Sequence, residues 1–173
     1  MKIFIIKTLS IGSLILSLLI IINLIIDPAK LFHNNHYTKM VNIINNNTNL
    51  TNIMNFDDRM FNKMFVEKLN KKYDILVMGS SRTKLIREEY FSNIELFNTS
   101  VRGASIEDLI AIYQLYKTNN LLPDSIYIGI DPWTFNANNK QEGWKTLEED
   151  YYSFFKESSQ INTAQNNLEQ LIS

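Results

Sequence analysis

The most distinctive pattern in the chain is a run of uncharged residues, mostly Ile and Leu, from Thr8 to Ile26. As a helix this run spans about 28 Å, close to the hydrocarbon thickness of a lipid bilayer. A soluble helix that is apolar on every side needs apolar neighbours all around it, and a chain of 173 residues can hardly supply them. The pattern therefore predicts that residues 8–26 cross the lipid bilayer as a helix.

The residues flanking this run favour a retained anchor over a cleaved signal peptide. The run ends at Asp27-Pro28 and lacks the small-x-small site at which signal peptides are cut. Lys2 and Lys7 precede it, and positive charge before a span favours a cytoplasmic N-terminus. Lysines on the other side weaken that bias. We predict a single-pass protein of the cytoplasmic membrane, anchored by residues 1–26, with an extracytoplasmic domain.

The next segment, residues 27–55, has the composition of a tether. Seven Asn fall between Asn42 and Asn55, in a stretch without charge. Asn favours turns and local side-chain hydrogen bonds over helix formation. We therefore expect this segment to be loosely ordered.

From Phe56 to Leu69 apolar residues recur three to five positions apart, which predicts an amphipathic helix that packs on the domain's own sheet. Short apolar runs then predict strands over 74–78, 94–97 and 125–130. Strands that alternate with helices indicate a parallel, three-layer α/β sheet.

Two further helices complete this pattern. Ser105 followed by Asp108 has the spacing of a capping box and predicts a helix start after the second strand. A last helix follows the third strand, with four apolar residues on one side: Leu147, Tyr151, Phe154 and Phe155.

Three strands make a thin sheet, with the second and third strands at its edges. An uncovered apolar edge is an aggregation liability. We therefore expect the domain of residues 56–173 to be incomplete, with either further chain after Ser173 or a partner chain covering the edge.

Composition excludes several classes of function. With 17 basic and 18 acidic side chains the chain is nearly neutral, and no basic cluster is interleaved with aromatic residues, so we expect no nucleic-acid partner. The chain has no cysteine, which excludes disulfides, thiolate zinc sites and cysteine nucleophiles. We expect no cofactor and no metal.

Polar or glycine-bearing segments follow all three predicted strands, over residues 79–82, 98–103 and 129–133. In an open parallel sheet, ligands bind at the carboxyl ends of the strands. Ordinary strand-to-helix turns explain each segment equally well when it is taken alone. Three such segments at one edge of a sheet make a binding or catalytic site the more specific hypothesis.

Gly79-Ser80-Ser81 after a strand, a glycine loop ending at Gly103, and Gly129-Ile130-Asp131 after another strand resemble the first three motif blocks of the SGNH (GDSL-type) hydrolase superfamily. The resemblance covers residues 56–136 and is greatest to its membrane-anchored envelope branch, which includes proteins of lipoteichoic acid D-alanine transfer and alginate O-acetylation. It implies acyl transfer or ester hydrolysis on cell-envelope polysaccharide. Ser81 would be the nucleophile, and its N–H with that of Gly103 would form an oxyanion hole.

The chain departs from the family pattern at several positions. Ser80 stands where the commonest motif has Asp, and Asp131 stands where the hydrolases have an Asn that donates to the oxyanion. An ionised carboxylate cannot donate, so Asn136 is a possible substitute.

Three further side chains are candidates for substrate binding. Arg82 and Arg102 suit an anionic group, or else surface salt bridges with Glu88 and Glu107. Trp133, like Trp144, would stack on a sugar or pack in the core.

The largest departure is the missing base. A serine hydroxyl needs a general base, normally His oriented by an acid, and the family supplies both in a C-terminal Asp-x-x-His block that this chain lacks. Its histidines, His33 and His36, lie in the tether and are expected to be solvated. We therefore expect little or no esterase activity from this chain.

Two alternatives remain open at the level of the sequence. The first is a non-catalytic, membrane-tethered module that binds a glycan or a protein. The second is a phosphate-binding α/β protein that uses residues 79–82. The second ranks last, because the chain lacks the Gly-x-x-x-x-Gly-Lys-Ser/Thr pattern.

Overall fold

The computed structural model describes residues 1–27, 35–46, 56–136, 138 and 140–172. The chain forms two compact units, Met1–Phe56 and Asp57–Ser173. Each unit has its own secondary structure and is described by itself.

The first unit begins with helix α1, Lys2–Ile26, whose side chains are all exposed and whose mean hydropathy is 2.7. By length and composition it can cross a membrane. Polar side chains within it bond back to the carbonyl four residues earlier, as Ser17 does to Ser13 at 2.8 Å and Asn23 to Leu19 at 2.9 Å. Bonds of this kind satisfy the polar side chains of a helix wherever water is absent, as in the hydrocarbon of a membrane.

Helix α2, Asn35–Asn45, lies inside the segment for which we expected loose order, so that expectation is wrong for these residues. Tyr37, Met40 and Val41 are buried along it. These residues lie at positions i, i+3 and i+4, which places them on one face of a helix. Burial of this face outweighs the low helix propensity of Asn. The remainder of the predicted tether, residues 28–34 and 47–55, lies outside the described residues.

The second unit contains a parallel three-stranded sheet, as predicted. Strands β1, Ile75–Met78, β2, Leu96–Asn98, and β3, Ser125–Ile128, lie in the order β2-β1-β3. Leu76 pairs with Phe97 on one side and with Ile126 on the other. The central strand is buried along its whole length, because it has a neighbour on each side and is covered on both faces.

Three helices accompany the sheet: α3, Asp58–Val66, α4, Ile106–Thr118, and α5, Glu148–Ile172. Helix α4 starts with the predicted capping box, in which Ser105 accepts from the Asp108 N–H and Asp108 accepts from the Ser105 N–H. It supplies much of the main hydrophobic core, in which Ile112 is fully buried. The other buried residues of that core include Val66, Leu76, Met78, Val101, Leu115, Tyr116 and Leu147.

Alternate residues of β1 enter two different clusters. Leu76 and Met78 pack with the α4 side chains. Ile75 and Val77 pack on the other face of the sheet with Leu96. Three side chains of the segment after β1 complete this second cluster: Ile86, Phe91 and Ile94. This segment forms two short 3-10 turns, Thr83–Leu85 and Glu88–Tyr90. The alternation follows from the period of two in a strand.

The two edges of the sheet differ. At the β2 edge, the Asn98 side-chain amide donates to the carbonyls of Thr83 (2.8 Å) and Ile86 (2.9 Å), which ties the segment after β1 along that strand. At the β3 edge, Tyr127 and Ile128 are about half exposed. The predicted apolar edge is thus exposed at β3, whereas Leu96 of β2 is buried and Phe97 and Asn98 are half-buried.

The position of Ile112 in the main core gives a first prediction. Ile112→Ala should lower the free energy of unfolding by about 2–5 kcal/mol, because it removes buried methylene groups and leaves a cavity. Urea denaturation of the full chain in detergent measures this loss. Leu85→Ala is the control, since Leu85 is exposed and its truncation should change stability by less than about 0.5 kcal/mol. Equal effects of the two substitutions would contradict the placement of Ile112 in the core.

Candidate functional site

The loops after the three strands meet at the carboxyl edge of the sheet, and backbone hydrogen bonds join them. Val101 N–H donates to the Gly79 carbonyl at 2.9 Å, and Gly129 N–H donates to the Met78 carbonyl at 2.8 Å. Thr99 N–H donates to the Val77 carbonyl at 2.8 Å. The parallel arrangement of the strands therefore brings residues 79–83, 98–103 and 129–134 together.

The loop after β1 is fixed by Thr83. Its hydroxyl donates to the Ser80 carbonyl at 2.7 Å and lies 2.7 Å from the Ser100 hydroxyl. Because the Thr83 hydroxyl has a single proton, Ser100 is the donor in the second bond. The loop also requires glycine at position 79, where φ is +153° and a Cβ atom would lie 2.6 Å from the Thr83 Oγ1.

The two serines of this loop have different surroundings. Ser80 is buried, and its hydroxyl accepts from the Arg82 N–H at 3.3 Å. Ser81 is exposed, and in the described part of the chain neither its hydroxyl nor its N–H has a hydrogen-bond partner. Of the two, Ser81 is the one that a molecule from solvent can reach.

Gly103 lies on the neighbouring loop in a left-handed conformation, with φ at +62°. A Cβ atom there would lie 3.2 Å from the Gln141 side-chain oxygen. Its N–H donates to no other residue within the described ranges. Glycine is favoured at this position both by the positive φ and by the neighbouring Gln141 side chain.

Asp131 is buried and accepts from the Arg82 guanidinium at 3.1 Å. The same guanidinium lies 4.6 Å from the centre of the Trp133 ring, which is half-buried. Arg82 itself remains largely exposed. The arrangement makes Asp131 an acceptor for an arginine.

Asn136 ends the short 3-10 turn Pro132–Phe135 and is exposed. Its side-chain oxygen accepts from the Asn138 N–H at 3.0 Å. This local bond holds the amide in its own turn, so the described contacts do not draw it towards Ser81.

The second arginine, Arg102, is bound by helix α3. Its backbone N–H and its Nε atom both donate to one Asp58 oxygen, at 2.9 and 3.0 Å, and Lys84 donates to the other oxygen. The alternative partners Glu88 and Glu107 were therefore wrong for the described contacts, in which Arg82 bonds Asp131 and Arg102 bonds Asp58.

Asp58 is buried among these cations. Burial by itself would raise the pKa of its carboxyl, but the hydrogen bonds from Lys84 and Arg102 outweigh that effect, and the net pKa is lowered from the usual 3.8. The carboxylate therefore stays charged at neutral pH and joins the loop after β1 to the loop after β2.

A buried ion pair lies beneath the same loop. The Arg59 guanidinium donates to both oxygens of Asp108, at 2.6 and 2.9 Å, and also to the Arg102 carbonyl at 3.2 Å. Gly143 packs directly on this guanidinium, where a Cβ atom would lie 2.5 Å from its central carbon. The Asp57 carboxylate accepts from the Thr146 hydroxyl at 3.0 Å.

Sequence reasoning missed this network. It predicted α3 from its apolar positions alone, and Asp58, Arg59 and Asn62 are buried polar residues on that helix. Positions 58, 59 and 62 fall on one side of α3, opposite most of its apolar positions, and such a pattern predicts solvent-exposed side chains rather than buried ones.

The described residues hold no group of three or more His, Cys, Asp or Glu side chains arranged for a metal ion. Neither histidine of the sequence belongs to residues 57–173. His36 lies on α2 in the other unit, and His33 is outside the described residues. The site therefore offers a reachable serine, backbone donors and two arginines, without an imidazole from its own unit.

Comparisons with protein-family models, with curated proteins and with solved structures find no match to this chain.

The Asp58 contacts predict a pH-dependent stability. Because the folded pKa is lowered, the charged carboxylate contributes stability above pH 3.8, and this contribution is lost as the pH falls below that value. Asp58→Asn should therefore destabilise the chain at pH 7 by about 1.5–3 kcal/mol, the loss expected for hydrogen bonds to a charged group. The difference from the wild type should shrink below pH 3.8.

Urea midpoints between pH 3 and pH 7 measure this dependence. Asp124→Asn, at an exposed carboxyl on the turn before β3, is the matched control and should leave the midpoint nearly unchanged. A gap between wild type and Asp58→Asn that stays constant down to pH 3 would show that Asp58 does not hold the loops through its charge.

Proposed function

We propose that this chain is an SGNH-like domain for acyl transfer or ester hydrolysis on cell-envelope glycans, with Ser81 as its nucleophile. The observation that carries the proposal is the position of Ser81, an exposed serine at the carboxyl end of the central, buried strand. This is the edge of a parallel sheet at which ligands bind. The proposal extends to the three-layer arrangement of that superfamily. The described residues form a parallel sheet of three strands.

Oxyanion stabilisation would come from backbone donors. The N–H groups of Ser81 and Gly103 are both without partners in the described residues, and they belong to loops joined by the Val101–Gly79 hydrogen bond. Donors of this kind stabilise the negative charge on an attacked carbonyl oxygen. Asp131 would act by fixing Arg82, since an ionised carboxylate cannot donate to that oxygen. Asn136 is not needed in this scheme.

Substrate binding would involve the two exposed guanidinium groups and the ring beside them. Arg82 lies over Trp133 and Arg102 lies over Asp58, so both side chains are already oriented by contacts within the chain. Orienting an arginine before it binds reduces the entropy lost when it pairs with an anionic group. Trp133 offers an aromatic face of the kind on which sugar rings stack.

The proposed location is the outer side of the cytoplasmic membrane. Helix α1 would be the anchor, with residues 8–26 in the bilayer. Lys2 and Lys7 would keep the N-terminus in the cytoplasm, which places the domain outside it.

A general base is the part that residues 57–173 do not supply, since they contain no histidine. Loss of the triad histidine lowers kcat by about 10⁶-fold in a serine protease. The chain alone should therefore be nearly inactive as an esterase. A base provided from outside should restore reactivity at Ser81.

A fluorophosphonate probe tests this assignment. The full chain should label slowly, and millimolar imidazole should accelerate labelling because it replaces the missing base. Ser81→Ala should lose the accelerated labelling, while Ser92→Ala, at another exposed serine, should keep it. Unchanged labelling of Ser81→Ala would sink the assignment of Ser81 as nucleophile.

The absence of a histidine from residues 57–173 also favours a second candidate, a membrane-tethered module that binds envelope glycan without chemistry. The Arg82–Trp133 stack would then be its binding surface. Catalysis requires Ser81, whereas binding of a glycan does not.

Retention on immobilised envelope glycan tests the binding module. Trp133→Ala should reduce retention by up to about tenfold, since an aromatic contact contributes about 0.5–1.5 kcal/mol. Tyr90→Ala, at an exposed aromatic ring on a different loop, should bind like the wild type. Failure of the wild type to bind any envelope glycan would rule this module out.

A further inference from the structure

Strand β3 has the features of an interface strand, which neither candidate function explains. Its residues carry no charge and no proline, and Tyr127, Ile128 and the following Ile130 are 51, 52 and 57% exposed. Exposed edge strands are normally protected by lysine, proline or a bulge, because an open edge pairs with other chains. Strand β2 differs, because its residues are buried or half-buried and Asn98 at its end binds the segment after β1.

The free edge of β3 presents paired backbone groups at alternate residues. Ser125 and Gly129 N–H groups point towards β1, where they donate to the Asp74 and Met78 carbonyls. Successive residues of a strand alternate in this direction, so the N–H and C=O groups of Ile126 and Ile128 point away from β1. These groups can form a ladder with one more strand.

An apolar groove of about 390 Å³ runs along this edge on the α4 side of the sheet. It is lined by Ile128 and Ile130, by Ile110 and Tyr113 of α4, and by Phe154 of α5. On the opposite face of the sheet, the Tyr127 ring lies 6.2 Å from the Phe91 ring. A strand added to β3 would therefore meet apolar side chains on both faces.

We propose that the occupant is a second copy of this chain, with two β3 strands pairing antiparallel about a two-fold axis through Tyr127. In this register Ile126 lies opposite the second copy's Ile128, and their outward N–H and C=O groups form four hydrogen bonds across the seam. The two Tyr127 rings form a close, non-hydrogen-bonded pair on one face. The result is a continuous six-stranded sheet in which neither β3 edge remains free.

Side-chain chemistry supports a self-complementary pairing. A two-fold axis perpendicular to the sheet keeps each face on its own side, so the second copy's Ile126 and Ile128 enter the groove. The flanking carboxylates Asp124 and Asp131 fall opposite Ile130 and Pro123 of the second copy, so no like charges face each other.

The size of the seam sets the strength of the dimer. A four-residue strand pair with one groove buries less than the roughly 1,600 Å² of a standard interface, so pairing in solution is modest. The membrane anchor proposed above would hold all copies at one surface and raise their effective concentration.

A single cysteine tests both the partner and the register. The chain has no cysteine, so Tyr127→Cys places one thiol per copy on the axis. Cα atoms of a non-hydrogen-bonded antiparallel pair lie about 4.5 Å apart, within disulfide range. Oxidation of the full chain in detergent micelles or membranes should give a disulfide-linked dimer at least about tenfold faster than for Ser125→Cys, whose Cα atoms would be about 13 Å apart.

Tyr90→Cys, at an exposed residue away from β3, gives the rate of random collision. Cross-linking of Tyr127→Cys at that rate would overturn the proposal. Faster cross-linking of Ser125→Cys than of Tyr127→Cys would overturn the register and with it the two-fold axis.

The uncross-linked chain provides an independent measurement. At tens of micromolar in detergent, the wild type should contain a dimer fraction by light scattering, and Ile128→Lys should abolish it because a lysine on the edge blocks pairing. Ile128 is half exposed, so circular dichroism should show this variant folded. A dimer that survives Ile128→Lys would place the interface elsewhere, and a strictly monomeric wild type would rule the dimer out. Neither result depends on Ser81 reactivity.

Discussion

The arrangement of the loops in the second unit depends on the buried ion pair between Arg59 and Asp108. Both side chains are almost fully removed from water, which is costly unless every charge is matched by hydrogen bonds. The match is close: Asp108 accepts two bonds from the Arg59 guanidinium and two from Ser105, through its N–H and its hydroxyl. Removing one partner of such a pair costs about 3–5 kcal/mol, because the other charge is left buried and unmatched.

This pair organises the candidate site without belonging to its surface. Arg59 also donates to the Arg102 carbonyl, and its neighbour Asp58 accepts from the Arg102 N–H, so the residue before Gly103 is held on both its backbone groups. One turn further along α3, Asn62 donates to the Thr99 carbonyl at 3.0 Å. Helix α3 thus fixes the glycine loop from below. Ser81 and the N–H of Gly103 keep no partner in the described part of the chain, and they are the groups free to meet a ligand.

Periodicity predicted the elements well because local patterns determine them. The apolar run of β1 and the capping box of α4 follow from residues close in sequence, and the alternation of strands with helices favours a parallel sheet. The contacts that define the site could not be predicted in this way. Arg59–Asp108 and Arg82–Asp131 each join residues 49 positions apart, and the pattern of hydrophobic positions contains no information about which charges pair. Sequence reasoning therefore predicted that the three loops meet at one edge of the sheet, and it proposed the wrong ion-pair partners within them.

Strand β3 connects the proposed interface to the candidate site. Its exposed edge ends at Ile130, and the next residue, Asp131, holds Arg82 over the Trp133 ring. A strand that pairs with β3 would restrict the backbone at Ile128 and Ile130, directly before the residue that orients the arginine. Since an oriented arginine loses less entropy when it pairs with an anionic group, occupancy of the edge and affinity at the site should be coupled, in both directions. Under these two proposals, the edge strand and the loop after it would act as one functional element of the chain.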